Sequence, residues 1–217
     1  MSEGSNLINF ALQQNRVSLV RAFTIENISG KTLSNIRVEL TTEPDFAETV
    51  PYLLEEIPAN HTARVDDLKL KLSTNFFIQL TERIAGNISL TVRVENEIVV
   101  KEDYPIDVLA FDQWSGVSIL PEMLSSFVTP NHPAVIPIQR RATDILEKMT
   151  GSPTLDEYQS RNPNRIKNQM AAVYNAIAEQ GIIYSSVPAS FEKYGQRIRM
   201  VDSVTSQKLG TCLDMAL

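Results

Sequence analysis

The segment with the most chemistry in it is Leu209-Gly-Thr-Cys-Leu-Asp-Met-Ala-Leu217. A glycine and a small hydroxyl residue precede Cys212, and an apolar run follows it. That order predicts a helix beginning at Cys212. Unpaired amides and the helix dipole at such a start favour a negative group. A thiol placed there is biased toward the thiolate, its nucleophilic form. Asp214, close behind on the same turn, opposes that bias. A buried structural cysteine is the competing reading.

Other reactive residue types are scattered. His61 falls in a turn between strand-like runs and His132 at a helix start, with no ligand-like spacing between them. Both read as structural. Glu55-Glu56, Asp66-Asp67 and Asp156-Glu157 read as solvated loop charges, and Arg140-Arg141 and Arg197/Arg199 as solvated faces or local ion pairs. An anion or nucleic-acid contact is the sharper alternative for the arginines. The sequence contains no Gly-x-x-x-x-Gly-Lys phosphate loop. One cysteine leaves no internal disulfide and no cysteine-rich metal site, so no metal or cofactor is expected and a cytoplasmic setting fits.

The elements that must hold these residues change character midway. About 43% of the 217 residues are apolar, enough for a packed core. No apolar run approaches the roughly 20 residues of a membrane span, and the first residues lack the pattern of a secretory leader. Residues 1–115 carry 10 basic and 17 acidic side chains, whereas residues 116–217 carry 10 and 9. The acidic first part would repel phosphates, which argues against direct nucleic-acid binding by residues 1–112.

In that part, alternation at Ile8/Phe10/Leu12, Ile36/Val38/Leu40, Leu68/Leu70/Leu72 and Ile88/Leu90/Val92/Val94 predicts strands with one buried face. Two more are expected over 17–26 and 98–109. Turns are expected at Ser29-Gly30-Lys31, Pro58-Ala59-Asn60 and Ala85-Gly86-Asn87. The stretch 43–57 reads as a long connection or irregular edge. Ile36, Val38, Leu90 and Val92 should point inward, and Arg37, Lys69 and Arg93 outward. Short one-sided strands without helices between them predict an antiparallel, immunoglobulin-like β-sandwich of about seven strands over residues 1–112.

Beyond Trp114, which is expected to pack where the two parts meet, apolar spacing becomes helical. Val135, Ile138, Ala142, Ile145, Leu146 and Met149 form one stripe, with Asn131 or His132 as cap, Pro133 and Pro137 in or near the first turn, and Gly151 as stop. Ile166, Met170, Val173, Tyr174 and Ile177 form a second, capped by Asn162, started by Pro163 and stopped by Gly181. A polar loop over 152–161 separates them, and a short strand is expected at Ile182–Tyr184. The fold class is therefore α+β, with residues 113–217 mainly helical.

Val201 to Leu217, with its Gly210-x-Cys212-x-Asp214-x-Ala216 pattern, resembles the cysteine segment of transglutaminase-like, papain-type folds. Ile119-Leu-Pro-Glu-Met-Leu, Phe127 to Pro133, Gln159 to Arg165, Pro188 to Phe191 and Gln207 to Asp214 are similar to the N-terminal region of DUF4011-type bacterial superfamily 1 helicase proteins. The resemblance covers about residues 6–217. It implies a β-sandwich, this helical segment, a transglutaminase-like core and then helicase motors, with a link to defence against foreign DNA. It makes Cys212 the one residue at a family catalytic position. The histidine and aspartate that orient such a thiolate would follow it, and no histidine follows His132 in this sequence. The implied role is a non-catalytic regulatory or interaction region whose partners are other domains or chains of a helicase-type protein. The alternative is part of a cysteine-nucleophile enzyme. Without cover, the residues past Cys212 are expected to fray while Val204 and Leu209 dock on the helices.

Overall fold

The computed structural model describes residues 6–17, 20–68, 70–117, 121–156, 158–159, 161–187 and 189–217. It is an α+β protein whose chain parts into two compact units between Ser115 and Gly116. Among the described residues, no helix is long and apolar enough to cross a membrane.

The first unit contains β1 (Leu7–Ile8), α1 (Phe10–Gln14), β2 (Val20–Glu26), β3 (Leu33–Glu43), β4 (Ala47–Thr49), β5 (Tyr52–Ile57), β6 (Thr62–Leu68), β7 (Leu70–Leu72), α2 (Thr74–Gln79), β8 (Ile84–Val94), β9 (Glu97–Val108) and β10 (Gln113–Trp114). Five strands form a curled sheet in the order β1-β9-β8-β3-β5. β2 pairs with β6, and β4 with β7, both antiparallel. The register Ile36–Val94, Val38–Val92 and Leu40–Leu90 puts the alternating apolar residues of β3 and β8 on one face. Ile36, Val38, Leu90 and Val92 are buried as the alternation requires, Arg37 is exposed and Arg93 half-buried. Lys69 lies outside the described residues. Phe46, Val65, Leu72 and Phe77, from outside the five-stranded sheet, complete the same core. Each fully buried side chain of this size contributes about 1.5–3 kcal/mol.

On the opposite face Arg37 and Arg93 stand directly across from each other. Like charges so placed destabilise a strand pair. Glu39 offsets this by accepting from Arg37 Nε at 2.5 Å and Arg93 Nε at 3.3 Å.

Two short helices, α1 and α2, stand between strands where none is expected, and three further expectations for this unit need correction. The sheet is not wholly antiparallel, because β1 runs parallel to β9, pairing Leu7 with Asp107 and Ile8 with Val108. The strand expected through Leu12 stops at Ile8. Asn9 caps α1 instead, accepting from the Ala11 amide at 2.7 Å and donating to the Ala110 and Gln113 carbonyls at 3.1 and 2.6 Å. That buried side chain overrides the two-residue alternation. The third is Ala85-Gly86-Asn87, which lies inside β8, while the chain turns at Glu95-Asn96, both at positive φ.

Gly86 is there for space. A Cβ on it would stand 3.0 Å from Val108 Cγ2, 3.1 Å from Phe46 Cε1 and 3.2 Å from the Glu43 carbonyl oxygen. Gly86→Ala should therefore destabilise the unit by about 1–3 kcal/mol, the usual cost of overpacking. Urea unfolding followed by Trp114 fluorescence measures it; unchanged stability would show that Phe46 yields freely.

Asn27 is a second buried organiser. Its Nδ2 donates to the carbonyls of Lys31, Ile57 and Pro58 at 2.9, 2.9 and 3.0 Å, and its Oδ1 accepts from the Ser29 amide at 3.0 Å. One side chain thus closes the turn after β2 onto the end of β5.

On β9 the Tyr104 hydroxyl donates to Glu102. That bond first, then burial and the Glu102 charge, pushes the phenol from 10.0 up to about 12. The folded value lies above the unfolded one. The contact therefore contributes fully below pH 10.0, and its contribution fades as pH climbs toward about 12. Glu102→Gln should bring the phenolate absorbance midpoint of folded protein back toward the ordinary value. A midpoint that stays put would assign the effect to burial.

The second unit contains a 3-10 helix (Pro121–Phe127), α3 (Val135–Thr150), α4 (Pro163–Ala178), β11 (Ile183–Tyr184), α5 (Phe191–Tyr194), β12 (Gln196–Arg197), α6 (Val201–Gln207), β13 (Leu209–Gly210) and α7 (Cys212–Ala216). Asn162 caps α4 by accepting from the Asn164 and Arg165 amides at 3.0 and 3.4 Å, and Pro163 takes the first position. α3 starts one residue after Ala134, which has no side-chain cap. The expected cap His132 instead accepts from the Ala134 amide through Nδ1 at 3.2 Å. Gly151 and Gly181, at φ 74° and 67°, follow the two helices in the left-handed conformation that glycine adopts without strain.

The stripe expected to bury α4 is the main departure. Met170, Val173 and Tyr174 are exposed, and the helix buries Gln169, Ala172 and Ala176 instead. Small residues let α3 and α4 approach closely, so packing selected the narrower face. At the far end of the pair Arg141 holds Glu179 bidentately, at 2.5 and 2.7 Å. That bond holds the Glu179 carboxyl below its ordinary range.

Candidate functional site

The polypeptide reaches Cys212 through a compact turn structure. α6 ends at Lys208, which sits at φ 55°, and β13 then pairs in parallel with β11, Leu209 beside Ile183 and Gly210 beside Tyr184. The Ile183 amide donates to the Lys208 carbonyl and the Ser185 amide to the Gly210 carbonyl, each at 2.8 Å. Val204 is buried beneath this strand, with its Cγ1 3.4 Å from where a Gly210 Cβ would stand.

Thr211 then caps α7 in a reciprocal box. Its Oγ1 accepts from the Asp214 amide at 3.1 Å, and its own amide donates to Asp214 Oδ2 at 2.8 Å. The Asp214 carboxylate also accepts from the Arg199 amide at 2.9 Å and from its guanidinium at 3.2 Å. The Asp214 side chain has no solvent exposure, and that of Arg199 retains 27%. The expected fraying past Cys212 is thus replaced by a capped helix, because Asp214 anchors it to the segment before α6. The signal was present in the sequence as Thr-x-x-Asp ahead of an apolar run.

Cys212 occupies the first position of α7 and is exposed, which removes the reading of a buried structural thiol. α7 is only five residues long, so few peptide dipoles align behind the thiol. The carboxylate nearest in sequence is spent on the cap and on Arg199. His61 Nδ1 lies 2.9 Å from the Ala59 carbonyl in its own turn, and His132 Nδ1 serves the Ala134 amide. The predicted site residue is therefore an accessible thiol beside a locked carboxylate. Among the described residues, no group of three His, Cys, Asp or Glu side chains is placed to hold a metal ion.

Some of the other charges form local pairs and some stand in solvent. Arg64 meets Asp66 at 2.7 Å, and Glu55 and Glu56 are exposed on β5. Arg140 is exposed while Arg141 is bound to Glu179. Arg165, which the sequence did not single out, organises the loop between α3 and α4. Its guanidinium donates to Asp156 at 3.1 Å, Thr150 Oγ1 at 2.9 Å, Ser152 Oγ at 3.3 Å and the Thr154 carbonyl. Glu157, and Ile119, Leu120, Ser160 and Pro188 of the stretches that carry the resemblance, lie outside the described residues.

No family model, no curated protein and no solved structure matches this chain.

Proposed function

We propose that this chain is a non-catalytic regulatory or interaction region of a DUF4011 helicase-type protein, acting in the cytoplasm. In this reading the first unit is an immunoglobulin-like sandwich and the second opens a transglutaminase-like domain. The observation that supports the non-catalytic role is local: Asp214, the carboxylate nearest Cys212 in sequence, serves as the cap of α7 and the partner of Arg199. The sheet core closed by β2, β4, β6 and β7 supports the first assignment, and the Gly210-Thr211-Cys212 entry to a helix supports the second. The full chain should show neither nucleotide hydrolysis nor thiol-dependent amide hydrolysis. Added to a DUF4011-type helicase, it should change DNA-stimulated ATP turnover. A helicase indifferent to saturating chain would remove this reading.

The exposure of Cys212 at the head of α7 favours a second reading, part of a cysteine-nucleophile enzyme. Amidase or transamidase activity lost in Cys212→Ala, with the fold intact, would establish that reading instead.

A further inference from the structure

The five-stranded sheet ends in β1 and β9 on one side and in β5 on the other, and the two edges differ. On the β9 side, the Asp107 and Leu109 amides donate to the Asn6 and Ile8 carbonyls, so odd-numbered residues there face outward. Pro105 is one of them and has no amide to offer. The pairing of β9 with β8 also shifts register between Val92 and Arg93. A proline and an irregularity are devices that blunt an edge against further pairing.

β5 has neither. The Glu95 amide donates to the Asn35 carbonyl, so odd residues of β3 turn their backbone groups to β8 and even ones to β5. Ser34, Ile36 and Val38 accordingly face Glu56, Leu54 and Tyr52. The amides and carbonyls of Leu53 and Glu55 point the other way, and among the described residues none of them is bonded. Pro51 bounds this open stretch by lacking an amide, and Asn27 bounds it by taking the Ile57 carbonyl. Leu53 is 71% exposed. Glu55 and Glu56 are exposed and hold no cation among the described residues. Residues 43–60 contain five acids and no lysine or arginine.

We propose that β5 is a strand-addition site for an extended basic and apolar segment of another protein, docking antiparallel. The open amides and carbonyls select an extended backbone, as edge-strand recognition requires. An antiparallel ladder is the more stable per residue. Side chains set the order of the segment, because residues directly opposite on one face interact. Bases stand opposite Glu56 and Glu55, and apolar residues follow opposite Leu54, Leu53 and Tyr52. A second copy of β5 would bring two more glutamates and no cation to the ladder. The inference stands on β5 alone and goes beyond the function proposed above, so the two fail separately.

A fluorescently labelled peptide, Lys-Lys-Ile-Val-Val, titrated with the full chain and followed by anisotropy, tests it. Binding should saturate. The second and fourth peptide residues would stand opposite Glu55 and Leu53 with their amides toward β5. N-methylation of those two should weaken binding by about tenfold or more, the effect of losing hydrogen bonds from a short ladder. N-methylation of the third, whose amide faces away, should leave binding unchanged. Leu53→Pro removes an amide that β3 does not use, a place where an edge strand accepts proline, and should weaken binding as strongly. Glutamates in place of the two lysines should abolish it. No saturable binding, a loss that ignores which amide is methylated, or equal binding of the glutamate peptide would each overturn the proposal. So would self-association of the chain that Leu53→Pro abolishes.

Discussion

Asp214→Ala is expected to cost about 3–5 kcal/mol, the range for removing one member of a buried ion pair. The carboxylate accepts from two backbone amides and one guanidinium, and its side chain is wholly buried. Removing it strands the Arg199 and Thr211 amides, each a penalty of about 1–3 kcal/mol. Arg199, partly exposed, can recover water, so the loss falls mainly on the amides. Asp214→Asn keeps one acceptor oxygen but turns an NH2 donor toward the donors on its other side, so it should recover only part of that loss. Hydrogen exchange at Cys212–Leu217 and Val201–Gln207, with global unfolding in urea, measures both. Alanine tolerated with less than about 1 kcal/mol lost, below the lower end of that amide penalty, would mean that water reaches these amides and the cap is dispensable.

Arg165→Ala should be nearly as costly, at about 2–4 kcal/mol, since hydrogen bonds to a charged group are worth about 1.5–3 kcal/mol each and cannot all be replaced by water. The guanidinium side chain is only 14% exposed and ties the end of α3, the loop after it and Asp156 together. Asp156 also accepts from Gln169 at 2.5 Å, so the loss propagates to the buried face of α4. Arg165→Lys is not conservative here. A single ammonium cannot span the arc of Asp156, Thr150 and Ser152 that the planar fork reaches. The measurement is amide protection along α3 and α4, which should fall in both variants and further in alanine. Equal protection in Lys and wild type would reduce Arg165 to a point charge.

Unit by unit, the elements that local chemistry dictates were legible. Asn162-Pro163 announces α4 because an Asx side chain and a ring-fixed φ act within three residues. Gly151 and Gly181 announce the helix ends for the same short-range reason. Ile36/Val38 and Leu90/Val92 declare their buried face because a strand has only two faces and one carried the charges. The glycine inside β8 reads in sequence as a turn. Gly86 answers to Phe46, Val108 and Glu43, and only the fold brings those three together.

The sequence by itself determined an α+β chain with a strand-rich first part, two long helices, the second capped by Asn162, and one cysteine at a helix start. These depend on residue type and on neighbours a few positions away. Tertiary structure alone decided the rest. It chose the alanine face of α4 over the bulkier stripe, because close helix packing favours small side chains over hydrophobic area. It also set the fate of the cysteine segment. Asp214 reads in sequence as a charge opposing the thiolate. In the fold it is the buried acceptor for Arg199, fifteen residues earlier, because a desolvated carboxylate is stable only where donors converge on it.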